Sequence, residues 1–282
     1  MSWALVVVAP PEELEIRAAE LFELGANGVE LQEPGMPLMP GTPALPPGAG
    51  RAIAHFPDRA DALRAAAELR AEPPVEVPAE DWSEAWRAHH RPIQLASDLF
   101  ILPPWEKAPA GSRSLIIEPG MAFGTGSHAT TRLCLERVRE LLDQMRGADV
   151  LDVGTGSGVI ALLAHLLGAG RICASENDPV ALESARSNAA LNGASRIEWL
   201  LEEQPAKIDG SFDVVVANIL LNTLEELAAQ IASKVRPGGR LLLSGLLAEQ
   251  AADAERAYLA QGLRPVEQRR REEWVLVELE RA

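Results

Sequence analysis

The sequence predicts an α/β protein in two parts: a small α+β unit, then a doubly wound parallel sheet. Three observations predict it. The first 78 residues alternate strand and helix signals in the order βαββαβ. From Leu99 onward, apolar strands alternate with amphipathic helices, the pattern of a parallel sheet with helical crossovers. Within that run, Val150-Leu-Asp-Val leads into a glycine-rich turn that opens a helix. At ~150 residues per domain, 282 residues fit one large domain or two modest ones. The expected parts are 1–78, a linker at 79–92, and 93–282.

In the first part, Leu5-Val-Val-Val8 is a short apolar strand bounded by Pro10-Pro11. Pro11 to Gly25 carries Leu14, Ala18, Leu21 and Phe22 at helical spacing, with Gly25 placed to end the helix. Gly28-Val-Glu-Leu-Gln is a second strand. Glu33 to Gly50 holds six prolines and four glycines without periodicity and reads as a mobile loop. Ala52 to Phe56 is a third strand, Ala60 to Ala71 a second helix and Val75-Glu-Val a fourth strand. This order is that of a ferredoxin-like sandwich. The linker holds Trp82, Trp86, His89, His90 and Arg91; the tryptophans lie four apart, on one face of a short helix. Their packing between domains is the simpler role, and stacking on a ligand the alternative.

In the second part the strands are Val150-Leu-Asp-Val, Ile172-Cys-Ala-Ser, Phe212-Asp-Val-Val-Val and Arg240-Leu-Leu-Leu-Ser. Helices follow from Val159, from Pro179 and over Leu224 to Lys234. Pro265-Val and Trp274 to Leu279 read as an antiparallel pair at the sheet edge.

Composition narrows the function. Acidic residues number 41 against 26 basic ones, a net charge of -15. Nucleic acid is therefore not expected as the main ligand, because binding phosphates needs a basic face. A basic protein partner fits, although solubility alone explains many acidic chains. No apolar run approaches the ~20 residues of a membrane span, and the apolar start lacks a signal peptide's basic flank. Cys134 and Cys173 are the only cysteines, with no CxxC or HExxH pattern, so a disulfide framework or structural zinc is not expected and a reducing cytoplasm fits.

Four elements carry the chemistry. In Asp152-Val-Gly154-Thr-Gly156-Ser-Gly158 the glycines let backbone approach a ligand, and the helix that follows offers free N–H groups. The dinucleotide fingerprint is G-x-G-x-x-G; here the pattern is G-x-G-x-G with an acidic residue two before it. Glu176 ends the next strand, 24 residues on, where a carboxylate accepts both ribose hydroxyls of an adenosine cofactor. Asp178 competes for that role, but Asp178-Pro179 better suits a helix cap. Asn218, past Phe212-Asp-Val-Val-Val-Ala, either satisfies local backbone or faces the reactive end of a cofactor, its carbonyl accepting from a substrate amine. Finally, Ile117 to Thr131 is a second glycine-rich loop feeding a helix. There Phe123 is placed to cover a cofactor and Thr131 to hydrogen-bond it. His128 is expected to be structural or cofactor-adjacent rather than a general base.

The acidic-x-Gly-x-Gly-x-Gly form resembles the first motif of the Rossmann-like S-adenosylmethionine-dependent methyltransferases. Four segments together resemble one family, the methyltransferases of bacterial large-subunit ribosomal protein eleven. They are Glu118-Pro-Gly-Met-Ala-Phe-Gly-Thr-Gly-Ser-His-Ala-Thr-Thr131, Val150 to Gly158, Val216-Ala-Asn-Ile-Leu220 and Pro237 to Gly245. The resemblance runs from about Trp82 to the C-terminus. The N-terminal unit matches in length and element order and, by the resemblance, recognises the substrate.

The resemblance implies S-adenosylmethionine as cofactor, with contacts at Thr131, Gly154, Gly156, Glu176 and Asn218. Phe123, Gly124 and Gly126 would lie near its methionine portion, and Asn218 would be the catalytic residue. It implies a cytoplasmic enzyme, expected to be a monomer. That enzyme would methylate the N-terminal α-amine and lysine ε-amines of the free ribosomal protein, without binding nucleic acid or membrane. Two positions depart from the family: Glu176 stands where Asp is usual, and Ala129 where Pro is common. The competing readings are a nicotinamide-dependent oxidoreductase, a methyltransferase with another protein or small-molecule substrate, and a non-enzymatic S-adenosylmethionine-binding adaptor.

Overall fold

The structure is a computed structural model that describes residues 2–32, 49–77, 91–119 and 124–282, with only the backbone of Glu12 and Glu15. The expected loop at 33–50 (all but its last two residues), the linker tryptophans and Phe123 lie outside the described residues. The chain divides into two compact units, Met1–His89 and His90–Ala282.

The first unit contains β1 (Ser2–Ala9), α1 (Leu14–Glu23), β2 (Gly28–Gln32), β3 (Gly50–Phe56), α2 (Arg59–Leu69) and β4 (Val75–Val77). The sheet order is β2-β3-β1-β4 with every pair antiparallel, the ferredoxin-like arrangement expected from the sequence. Alternation drives it: Leu5, Val7 and Ala9 of β1 and Ala52, Ala54 and Phe56 of β3 are buried on one face. Helix α2 covers that face with Ala62, Ala65 and Ala66, whose small side chains allow close approach to the sheet. Asp58 caps α2 by accepting from Ala60 N–H. Gly25, at φ +98°, ends α1 as expected.

The second unit begins with a three-stranded sheet the sequence reading missed: β5 (Ile93–Ala96), β6 (Leu99–Leu102) and β7 (Arg113–Ile116). The main sheet has seven strands in the order β10-β9-β8-β11-β12-β14-β13. These are β8 (Val150–Val153), β9 (Ile172–Glu176), β10 (Ile197–Leu201), β11 (Phe212–Asn218), β12 (Val235–Leu247), β13 (Leu263–Arg271) and β14 (Trp274–Arg281). Strands β8 to β12 are parallel; β14 runs antiparallel to β12, and β13 antiparallel to β14, the expected edge pair. Strand β10 was not expected, nor was the helix Ala251–Leu259. The helix expected over 224–234 is two short ones, Leu221–Glu226 and Ala228–Ser233.

Helix α3 (Ala129–Gln144) and helix α4 (Val159–Leu166) form one core with β8 and the three-stranded sheet. Helix α4 is buried along most of its length, which its sequence Val-Ile-Ala-Leu-Leu-Ala requires. Ion pairs tie α3 to the edge strands. Arg137 donates to both oxygens of the fully buried Glu278 at 2.5 and 2.9 Å. Arg269 forks onto Glu140, and Arg271 reaches Glu136. At the opposite end of the parallel strands, Arg236 bridges Asp149 and Asp213. Asp149 also accepts Arg171 N–H, which with Arg236 holds its carboxyl below the usual range.

The strand order reverses between β8 and β11. Crossovers from β8 lead outward through β9 to β10, whereas β11 and β12 lie on the other side. Ligands of open α/β sheets bind outside the carboxyl ends of the strands at such a switch point.

Candidate active site

A cleft of about 350 Å³ opens at this switch point. Its walls are the strand ends Val153-Gly154, Ser175-Glu176-Asn177 and Glu202-Glu203-Gln204, closed by Ile219 and Thr223. The segment 202–204 was missed because β10, which delivers it, was missed.

The glycine turn after β8 has the backbone that only glycine adopts easily. Gly154, Gly156 and Gly158 lie at φ +69°, +55° and +82°. At Gly154 a Cβ would sit 2.5 Å from Ile219 Cγ2, and at Gly158 one would sit 2.9 Å from the Trp199 ring. Below the turn, Asp152 is fully buried, and its Oδ2 accepts from Thr155 Oγ1 at 2.6 Å. Burial, and secondarily the charge of Glu176, pushes the Asp152 carboxyl up to about 7.

Glu176 ends β9 and is 9% exposed. Its carboxylate accepts three backbone N–H groups: Gly156 at 2.9 Å, Asn177 at 2.9 Å and Asp178 at 3.2 Å. Asp178 caps the next helix, α5 (Pro179–Leu191), by accepting from Val180 N–H. Glu176 lines the cleft, whereas Asp178 serves as the helix cap.

Asn218 ends β11. Its Nδ2 donates to Thr131 Oγ1 at 3.4 Å, which joins two expected site residues 87 positions apart. Among the described residues, Asn218 Oδ1 is buried and has no hydrogen-bond partner. Ile219 is held on both sides, by Gly154 and by Gly245, where a Cβ would lie 2.5 Å from Ile219 O. Thr131 sits in the first turn of α3 and is 1% exposed. His128 caps this helix, its Nδ1 accepting from Thr130 N–H at 3.3 Å. Its ring stands edge-on to Trp274 at 4.9 Å. Cys134, on the same helix, is buried and its thiol pushed up to about 12, so it stays protonated.

Gly124 and Gly126 lie at φ +95° and +98°. Ser157 Oγ donates to Gly124 O at 2.7 Å, tying this loop to the glycine turn. Sequence reasoning missed the group that completes the tie. Asn188 of α5, fully buried, donates to Ser157 O at 2.9 Å and accepts Glu118 N–H at 2.9 Å. Asn192 clasps both backbone groups of Ile116. No local signal marks these asparagines, because their partners are 31 to 76 residues away.

The residues fit an adenosine-containing, methyl-donating cofactor. A backbone cradle that a Cβ would fill adjoins a strand-end carboxylate and a buried amide oxygen that has no partner among the described residues. Comparison with known proteins agrees. The family profile "Ribosomal protein L11 methyltransferase (PrmA)" matches residues 2–282. A ribosomal protein L11 methyltransferase of Myxococcus xanthus is 42% identical over 286 residues, covering 99% of this chain and 98% of the relative. One from Sorangium cellulosum is 42% identical over 265 residues, covering 90% and 81%. The crystal structure of a ribosomal protein L11 methylase from Lactobacillus delbrueckii subsp. bulgaricus superposes with a TM-score of 0.63 at 32% identity. It covers 68% of this chain and 99% of that one. The chain belongs to the ribosomal protein L11 methyltransferase family, whose members are S-adenosylmethionine-dependent enzymes.

Proposed function

We propose that this chain methylates free ribosomal protein L11 at its N-terminal α-amine and lysine ε-amines. In this reading residues 1–78 recognise the substrate, 79–92 link the two parts, and 93–282 carry the reaction in the cytoplasm. Gly154 and Gly156 offer backbone to the cofactor, Glu176 takes its ribose, and Thr131 with Gly124 and Gly126 lies at its methionine side. Bound there, S-adenosylmethionine supplies an electrophilic methyl group that needs no further activation.

The chain's own task is to hold an unprotonated amine in line. A lysine amine is mostly charged at neutral pH, with a pKa near ~10.4. Moving it into a buried site beside a cation disfavours that charge, so its proton is lost to solvent on entry. The observation that carries the reading is Asn218 Oδ1, a buried acceptor at the switch point without a partner among the described residues, its amide beside Thr131. Accepting one N–H of the amine fixes the direction of the nitrogen lone pair. Such alignment contributes on the order of 7 kcal/mol. A basic ribosomal protein also suits the chain's charge of -15, and its association should weaken with salt.

The experiment is Asn218→Ala, assayed for methyl transfer and, separately, for S-adenosylhomocysteine binding. Turnover should fall by about 100-fold, the cost of losing a well-placed polar group in the reacting complex, with binding largely retained. Unchanged turnover would remove Asn218 from the chemistry.

A further inference from the structure

We infer that Ser244 is a positioning residue for Asn218: it fastens the first turn of α3 to β12, so that Thr131 stays within reach of the Asn218 amide. The inference rests on the role given to Asn218 above and extends it to a residue outside the cleft.

Strands β11 and β12 run parallel with Asn218 opposite Ser244. Val216 and Leu242, two residues earlier on each strand, face the core that α3 shares. Side chains alternate along a strand, so Asn218 and Ser244 stand side by side on the face toward α3. Each makes one bond to the first turn of that helix. Ser244 Oγ donates to Thr130 O at 3.2 Å, and Asn218 Nδ2 donates to Thr131 Oγ1 at 3.4 Å.

The two bonds differ in what they can do alone. At 3.4 Å the bond from Asn218 is longer than the usual ~2.7–3.2 Å of an N–H donor, so a small outward shift of the turn would break it. The Ser244 bond opposes that shift. Thr130 is thereby held at both backbone groups, its carbonyl by Ser244 and its N–H by His128 Nδ1. Ser244 is itself fixed, because the next residue, Gly245, packs against the backbone of Ile219, with 2.5 Å between its Cβ position and Ile219 O. The pair Ser244-Gly245 therefore touches both neighbours of the Asn218 amide, α3 through a side chain and Ile219 through backbone. Ser244 is 0% exposed, so its hydroxyl acts through Thr130 rather than on a ligand. Removing the hydroxyl leaves α3 its own i→i−4 bonds, Thr130 O to Cys134 N–H included, so what is lost is the tether and not the helix.

The test is a double-variant cycle of Ser244→Ala and Asn218→Ala. Methyl transfer to ribosomal protein L11 gives kcat, calorimetry gives S-adenosylhomocysteine binding, and urea unfolding reports whether each variant is folded. In the wild-type background Ser244→Ala should lower kcat by about 10-fold, as expected of a sub-ångström misplacement in the reacting complex, with binding within about 3-fold. In the Asn218→Ala background the same change should alter kcat by less than about 2-fold, because residues that act as one unit are not additive. Ser244→Cys, of nearly the same size and with a weaker donor, should lose less than Ser244→Ala and serves if the alanine variant does not fold. Wild-type kcat in a folded Ser244→Ala would overturn the inference. So would an equal loss in both backgrounds, which would make Ser244 independent of Asn218. A loss confined to S-adenosylhomocysteine binding would assign Ser244 to the cofactor site and overturn it too. Full activity in Asn218→Ala alone would overturn the reading of Asn218, and the inference with it.

Discussion

Replacing Gly154 by alanine tests how the glycine turn builds the site. Two costs are expected, and the structure separates them. The first is backbone strain: at φ +69° an L-residue costs roughly 1–2 kcal/mol. The second is steric, because the new Cβ would lie 2.5 Å from Ile219 Cγ2. Ile219 cannot simply retreat, since its backbone is pressed against Gly245, and moving it drags Asn218 along. Overpacking of this kind costs about 1–3 kcal/mol. Gly168 supplies the control. It has φ +79° with nothing within 4 Å of its Cβ position, so Gly168→Ala carries the strain without the clash. Urea unfolding should show Gly168→Ala destabilised by about 1–2 kcal/mol and Gly154→Ala by about 2–5 kcal/mol. Calorimetry with S-adenosylhomocysteine should find binding retained in Gly168→Ala and weakened by tenfold or more in Gly154→Ala, the equivalent of ~1.4 kcal/mol. Equal stabilities together with wild-type binding in both variants would refute the argument that Gly154 is required for space rather than for chain reversal alone.

Further expectations follow from buried charge. Among the described residues, Arg137→Ala leaves the buried Glu278 with Arg240, at 3.7 Å, as its remaining ion-pair partner, and should cost about 3–5 kcal/mol in chemical denaturation. The double variant Arg137→Met with Glu278→Leu should recover most of that loss, and no recovery would show that the pair itself is stabilising. Asp152 gives a pH dependence. Its folded value of about 7 lies above the ~3.9 of an unfolded chain, so the native state holds the proton more tightly. Its contribution to stability therefore falls as pH rises from about 4 to about 7, by about 4 kcal/mol, and is flat above that. Asp152→Asn cannot titrate, so the stability difference between variant and wild type should change across that window. Parallel profiles from pH 4.5 to 7.5 would contradict a buried, proton-holding Asp152.

The parts of this protein that were legible in the sequence are those where a residue type has a local physical meaning. Gly25 and the glycines of the 154–158 turn mark left-handed backbone, and Asp178-Pro179 marks a helix start. Buried strands such as Val150 to Val153 are recognisable because every residue is apolar or part of the site. The strands that escaped are short or half-exposed. Ile197–Leu201 has a mixed burial pattern, and β5, β6 and β7 are four residues each, too short for alternation to register. The helix Ala251–Leu259 buries only Ala251, Ala254 and Tyr258, so its apolar face is mostly alanine. Within the site, Glu176 and Asn218 were placed by their strand ends. The brace from Glu176 to Gly156 and the clamp at Asn188 depend on contacts 20 to 70 residues apart, which no local pattern encodes.

The most direct test of the central claim is methyl transfer from labelled S-adenosylmethionine to a bacterial ribosomal-protein mixture lacking this modification, resolved by mass. The expected result is label on ribosomal protein L11 alone, in steps of one methyl mass. Cofactor binding with no label on any ribosomal protein would contradict the proposed function while leaving the fold and the cofactor site as described.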